Sequence, residues 1–248
     1  MEAIAITGLG IVSALGSDVE RFHRGMLQGE TAILAAPWAD QLEGRKAWWG
    51  TVTDFDPADW MERKIEEGTD LFAQFALAAA EQAVRQARLS ELDPLRTAVV
   101  HGTSMGGARA LMKAQHELDT TGVAAVPRKT EIQIWPNMAS AQIAMRYGLH
   151  GPCLTVTTAC ASSLDAIGTA ARLIDGGQAD VAIAGGTDGG ISLAGGAADG
   201  EFVPVLFYTG SLYGMEAPAQ DPRRSSLPFD VKRSGIVVGE GSALLVLE

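Results

Sequence analysis

The chain has 248 residues, 47% of them apolar and 20% charged, which is enough for a sizeable core in one large domain or two small ones. Acidic residues outnumber basic ones by 30 to 19, a formal charge of −11 that argues against a nucleic-acid surface or an anionic membrane as partner and obliges an acidic protein partner to meet a local basic patch. Two cysteines are too few for a disulfide framework, no apolar run approaches the ~18 residues of a membrane span, and the N-terminus shows no basic leader or cleavage site, so the expectation is a cytoplasmic protein in a reducing compartment.

Taken in order, residues 3–7 read as a buried strand ended by Gly8 and Gly10, where the backbone turns tightly or approaches a neighbour. Ser17 and Asp18 predict the cap of a helix reaching Leu27, with Phe22 and Leu27 facing inward. Residues 30–60 carry Pro37, Trp38, Trp48, Trp49 and Pro57 without a sustained period, which predicts mainly loop with a short strand over 48–52. Thr69 or Asp70 caps a long helix over 71–88 whose first turns are apolar almost all round, so its front end is expected to be buried on several sides. A buried strand over 97–101 leads into the glycine-rich loop 102–107, which lacks both the P-loop lysine and a Gly-x-Gly-x-x-Gly pattern and so does not read as a nucleotide site. A helix over 112–119, a polar connection over 127–130 and a helix over 138–147, capped by Asn137 and ended by Gly148, follow. Residues 179–184 read as a further buried strand completing a β-α-β unit. Phe202, Phe207, Tyr208 and Tyr213 either cover a hydrophobic site or pack a lid, and 235–239 and 243–247 predict two paired strands flanking a Glu240 that satisfies backbone donors.

The most informative stretch is 155–168, where a β-branched run meets an Ala-rich helical segment and Cys160 stands at the joint. Helix N-termini present unpaired N–H groups and a positive dipole end, which favour a thiolate and stabilise an oxyanion formed when it attacks a thioester. Cys153, beside Pro152 and away from a helix start, reads as structural; on one extended strand the two thiols would lie roughly 23 Å apart, beyond bridging distance.

Thr158-Ala-Cys160-Ala-Ser-Ser163 followed by Ala166-Ile-Gly168 resembles the active-site segment of the β-ketoacyl synthases, and further matches at 8–16, 70–80, 136–139, 181–186, 228–230 and 239–241 extend the resemblance over nearly the whole chain. It covers only the N-terminal half of a typical synthase. The resemblance implies an α/β fold of thiolase-like type, in which 1–248 is one α/β half, a mixed five-stranded sheet with helices on both faces, of a five-layered αβαβα architecture. It implies Cys160 as the acyl-accepting nucleophile. It also places Met105 where a side chain limits acyl-chain depth, with ordinary core packing as the alternative. Trp135 falls beside the acyl channel at a dimer interface, or in the core, and Phe202 is a further substrate-side candidate. Arg63 and Lys64 stand where an acyl carrier protein docks, though Glu66 and Glu67 weaken the patch; Arg223 and Arg224 are further docking candidates or solvated charges. Asp188 stands where the family usually has glutamate.

The family uses no separate cofactor, its substrates riding on the phosphopantetheine of an acyl carrier protein, and no metal is expected. Its two catalytic histidines and supporting lysine come from C-terminal motifs that this chain does not contain; His23, His101, His116 and His150 stand in other contexts. The expected partners are therefore a carrier protein and a complementary C-terminal half or second ketosynthase-like subunit, in a homo- or heterodimer. The leading expectation is the cysteine half of a condensing enzyme of fatty-acid or polyketide synthesis. A noncatalytic chain-length-factor-like partner and a cysteine acyltransferase without condensation are the alternatives.

Overall fold

The computed structural model describes residues 3–35, 48–89, 91–189, 221–233 and 236–248. Its elements are β1 (Ile6–Ser13), α1 (Val19–Gln28), β2 (Leu34–Ala35), β3 (Trp48–Gly50), α2 (Arg63–Glu66), α3 (Leu71–Ala87), β4 (Thr97–Gly102), α4 (Ala108–Thr120), α5 (Thr130–Ile134), α6 (Met138–Tyr147), β5 (Cys153–Val156), α7 (Ser162–Asp175), β6 (Val181–Asp188), β7 (Val238–Gly239) and β8 (Gly241–Leu247). They fall into two units, Met1–Val12 with Asp56–Gly190 and Gly241–Glu248, and Ser13–Phe55 with Ile191–Glu240.

The first unit is built on a five-stranded sheet ordered β1-β8-β6-β4-β5. Strands β5 and β6 both run parallel to β4, and β8 runs antiparallel to β6, so the sheet is mixed as expected. The β-α-β unit through α7 closes across β4, which lies between β5 and β6. Alternation sorts the side chains by face. Ala98 and Val100 of β4, Ala182 and Ala184 of β6 and Leu247 of β8 form one core with Ala166 and Ala170 of α7. The intervening Val99 and Ile183 point to the other side, where α3 packs on β8 and β6 with α6 beside it. Every residue of α3 from Leu71 to Ala80 is buried, which agrees with its all-round apolar start.

Gly8 and Gly10 lie inside β1 and do not end it, because a Cβ at either would overlap the Ala83 or Ala79 carbonyl of α3. That close approach lets polar α3 side chains cover the strand: the amide of Leu9 donates to Gln86 Oε1 at 2.6 Å, and Gln82 accepts from Ile11 N at 3.2 Å while donating to Ile11 O at 2.9 Å. Asp70, buried at the start of α3, accepts from the amides of Leu71 at 2.8 Å and Ala110 at 3.1 Å and from Arg109 Nη1 at 3.3 Å, so one carboxylate joins the N-termini of α3 and α4.

In the second unit β3 pairs antiparallel with β2 and parallel with β7. The buried Glu240 carboxylate accepts from Thr51 Oγ1 at 2.8 Å and Val52 N at 3.0 Å, the donor-satisfying role its setting suggested.

Several expectations need correction. The segments 235–239 and 243–247 do not pair with each other: β7 joins β3, whereas β8 joins β6. Leu27 is exposed, since α1 turns it away from the half-buried Phe22. The polar connection expected over 127–130 is followed by a short helix, α5, over residues 130–134, to which the sequence pattern assigns no element. Asn137 precedes α6 in helical geometry and makes no side-chain cap. Cys153 opens the edge strand β5 as an exposed thiol rather than a packed one, and because β5 ends at Val156 the two cysteines do not share a strand. Phe202, Phe207, Tyr208, Tyr213 and Trp38 lie outside the described residues.

His101 is wholly buried on the Val99 face of β4, with Nε2 3.1 Å from Thr187 Oγ1, which is in turn 2.6 Å from Ser242 Oγ. Its Nδ1 has no partner among the described residues, and burial pushes the imidazole down to about 4 from its ordinary 6.5, against an opposing pull from Asp188. The folded state therefore holds the ring neutral while the unfolded chain takes up a proton below about pH 6.5, so stability should fall as pH drops from 6.5 to 4 by up to about 3 kcal/mol. In urea titrations at several pH values, His101→Gln should flatten this part of the profile. An identical slope in the variant would assign the loss to other groups.

Candidate active site

Because β4, β5 and β6 are parallel, their C-terminal ends lie together, and this is where ligands bind in open α/β sheets. The turn 157–161 follows β5, the loop 103–107 follows β4, and Asp188 ends β6. The turn connects directly into α7 and is sharp enough that Ala159 adopts φ 53°, a left-handed conformation costing a β-carbon-bearing residue ~1–2 kcal/mol. Hydrogen bonds from the first turn of α7 hold that strain. Ser162 Oγ accepts from Thr158 N at 2.9 Å and donates to Ala159 O at 2.6 Å, and Thr158 Oγ1 donates to Asp165 Oδ2 at 2.5 Å. Cys160, next along the turn, is an exposed free thiol, and no side chain caps the helix at Ala161.

The start of α7 sits directly on the strand ends. A Cβ at Gly102 would overlap the Ser162 carbonyl, and one at Gly186 would overlap the Ser163 hydroxyl. Gly102→Ala should therefore cost about 1–3 kcal/mol of stability, read as a lower urea midpoint at unchanged slope. A wild-type midpoint would show that α7 can give way at this point.

The loop 103–107 meets the same helix start. Thr103 N donates to Val156 O at 3.2 Å, and its carbonyl lies 3.3 Å from Ser162 Oγ. Asp188 reaches it from β6, accepting from Thr103 Oγ1, Ser104 and Met105 N. Met105 is 46% exposed at the loop tip, which sets aside the ordinary-core alternative. On the other side of the loop Gly107 N donates to Ile134 O at 3.3 Å, and the neighbouring Trp135 is 49% exposed rather than part of the core. The structure thus brings Cys160 and Met105 onto loops joined through Thr103 and Ser162, with Trp135 on the segment flanking the second loop. Phe202 lies outside the described residues.

Arg63 and Lys64 lie on the short α2, where Arg63 Nε donates to Glu67 Oε1 at 2.6 Å and Lys129 Nζ stands 3.8 Å from the same carboxylate; the Glu67 carbonyl accepts from Gln133 Nε2 at 3.2 Å, beside the segment that flanks loop 103–107. The Arg63 hydrogen bond and charge hold the Glu67 carboxyl below its ordinary value. Glu67 thus offsets part of the positive charge of this patch. Sequence reasoning missed the supporting roles of Ser162, Asp165 and Thr103; the available signal was hydroxyl and carboxylate residues flanking a strand-to-helix joint. Among the described residues no group of His, Cys, Asp and Glu could hold a metal ion, and no helix is long and apolar enough to cross a membrane.

Comparison with known proteins agrees with this geometry. The family model described as beta-ketoacyl synthase, N-terminal domain, matches residues 1–248. The chain is 32% identical over 249 residues to the 3-oxoacyl-acyl-carrier-protein synthase 2 of Synechocystis sp., covering 99% of this chain and 57% of that protein. It is 34% identical over 256 residues to a putative polyketide beta-ketoacyl synthase 1 of Streptomyces cyaneus, covering 99% of this chain and 58% of that one. Among solved structures, the ishigamide ketosynthase/chain length factor superposes with a TM-score of 0.82 at 27% identity, covering 99% of this chain and 58% of that one. The chain thus spans a little over half the length of these relatives, and across its whole length it belongs to the β-ketoacyl synthase family as an N-terminal domain.

Proposed function

We propose that this chain is the cysteine-bearing half of a β-ketoacyl synthase that loads acyl groups from an acyl carrier protein onto Cys160. The observation that carries this reading is the exposed Cys160 thiol on a strained turn at the C-terminal ends of three parallel strands, immediately before α7. In the loading step Cys160 Sγ, as thiolate, attacks the thioester carbonyl carbon. The tetrahedral oxyanion collapses with loss of the carrier thiolate, which takes up a proton, leaving acyl-Cys160 and free phosphopantetheine thiol. The positive end of the α7 dipole, which no side chain caps, favours that oxyanion. Condensation then requires the carbanion left when a malonyl thioester loses carbon dioxide. It attacks the acyl carbonyl and releases the Cys160 thiolate.

The histidines for the decarboxylating step come from a second α/β half, whether further along a longer polypeptide or on a separate one. The outer face of α7 supports this part of the reading: Leu164 is 74% exposed, and among the described residues a Cβ at Gly168 would meet only the end of the Arg172 side chain beyond the helix's own backbone, so a second helix could cross there closely. The edge strand β5, with Cys153 and Leu154 exposed, offers a surface for a homo- or heterodimer. The named relatives include both fatty-acid-type and polyketide-type enzymes, and a condensing role in either class of pathway is compatible with the site. Cys160 favours the catalytic member of a heterodimer over a chain-length-factor-like partner. An acyltransferase without condensation would load Cys160 in the same way but release no carbon dioxide, so gas release from a malonyl thioester separates these two readings.

The direct test is intact mass spectrometry after incubation with an acyl-carrier thioester, alone and with a ketosynthase C-terminal polypeptide. Wild type should gain the mass of one acyl group and Cys160→Ala none. Absence of an adduct in both conditions would leave a scaffold or channel-shaping subunit. Gly168→Ala should stabilise the chain alone by up to about 1 kcal/mol through helix propensity. Gly168→Phe should abolish co-purification with the C-terminal polypeptide; undiminished co-purification would show that the two halves do not meet at this face.

A further inference from the structure

We propose that Asp188 is the positioning residue of this site, holding loop 103–107 against the Cys160 turn so that Met105 stands at a fixed depth, and that it is thereby a determinant of the acyl chain accepted; this rests on the reading of Cys160 as acyl acceptor. Asp188 is the last residue of β6, and Gly186 pairs in register with Gly102, so the Asp188 side chain stands level with the stretch of chain just leaving β4. Both of its carboxylate oxygens are engaged there. Oδ1 accepts from Thr103 Oγ1 at 2.9 Å, Ser104 N at 3.0 Å and Met105 N at 3.3 Å, and Oδ2 accepts from Ser104 Oγ at 2.5 Å. Among the described residues no cation pairs with Asp188, and its charge is met by converging amides and hydroxyls, the arrangement that immobilises a loop around an anion.

The hold passes on in two directions. Thr103 Oγ1, while donating to Asp188, accepts from Gly106 N at 3.0 Å, and the backbone of Thr103 meets Val156 O and Ser162 Oγ, the anchors of the Cys160 turn. On the far side the loop rests on the 133–136 segment, where a Cβ at Gly106 would come within 2.8 Å of Pro136 Cα. The loop that carries Met105 is thus held on both sides, and the carboxylate of Asp188 fixes the Met105 amide. Glutamate, one methylene longer, could keep these donors only by displacing the loop outward.

The test uses Asp188→Ala, Asp188→Asn and Asp188→Glu, with amide hydrogen exchange and the rates of Cys160 acylation by butyryl- and dodecanoyl-pantetheine as readouts. In Asp188→Ala the amides of Ser104, Met105 and Gly106 should exchange at least about ten-fold faster while α3 keeps its protection, and the ratio of the two acylation rates should shift by about five-fold. Asp188→Asn should fall between Asp188→Ala and wild type in both readouts. Asp188→Glu should restore slow exchange yet keep an altered ratio. Wild-type exchange in Asp188→Ala, or faster exchange with an unchanged acyl preference, would overturn the proposal. A wild-type chain that takes up no acyl group would sink the reading of Cys160 itself, and exchange at these three amides would still decide whether Asp188 holds the loop.

Discussion

The arrangement depends on how closely the first turn of α7 approaches the ends of β4 and β6. That approach exists because Gly102 and Gly186 have no side chains: a single methyl group at either would occupy the space of Ser162 or Ser163. The alanine-rich interface behind it, from Ala98 and Ala184 across to Ala166 and Ala170, continues the same close packing along the helix. With the helix start fixed over the sheet, the turn between β5 and α7 has little length in which to reverse, and Ala159 takes up a left-handed conformation. The exposure of Cys160 is a consequence of that geometry.

Polar groups accumulate where the packing leaves backbone unpaired. Ser162 and Asp165 hold the strained turn, Asp188 gathers the amides of the adjacent loop, and Asp70 does the same for the starts of α3 and α4. Ser162, Asp188 and Asp70 are short side chains that reach backbone donors, whereas Asp165 takes the Thr158 hydroxyl. His101 differs: it is buried between strands with one ring nitrogen bonded to Thr187, and it carries a proton only at a cost to the fold. It lies in the core of the sheet and takes no part in the proposed loading chemistry.

The two faces of the sheet are unequally covered. On one, α3 is buried through its first ten residues with α6 packed beside it. On the other, α7 buries Ala166 and Ala170 but leaves Leu164 exposed, in a chain that spans a little over half the length of its curated relatives. An apolar helix face with a glycine at its centre suits a closely crossing second helix, and the proposed second half would both cover this face and bring the histidines to Cys160.

Local pattern was enough to read the strand-turn-helix around Cys160, the buried start of α3, the Asp18 cap of α1 and the glycine that ends α6, because capping and apolar periodicity act within a few residues. The motif around Cys160 was enough to assign the family. Partnership over long sequence distances was not legible. That β7 and β8, one residue apart, join different sheets, that Gly8 and Gly10 serve α3 and not a turn, and that Asp188 grips a loop more than 80 residues earlier all depend on which surfaces meet once the sheet has formed. The sequence by itself determined which residues could turn, cap, pack or react. Only the tertiary structure decided which of them stand together, since a hydrogen bond or a close glycine contact between distant residues leaves no periodicity in the chain that makes it.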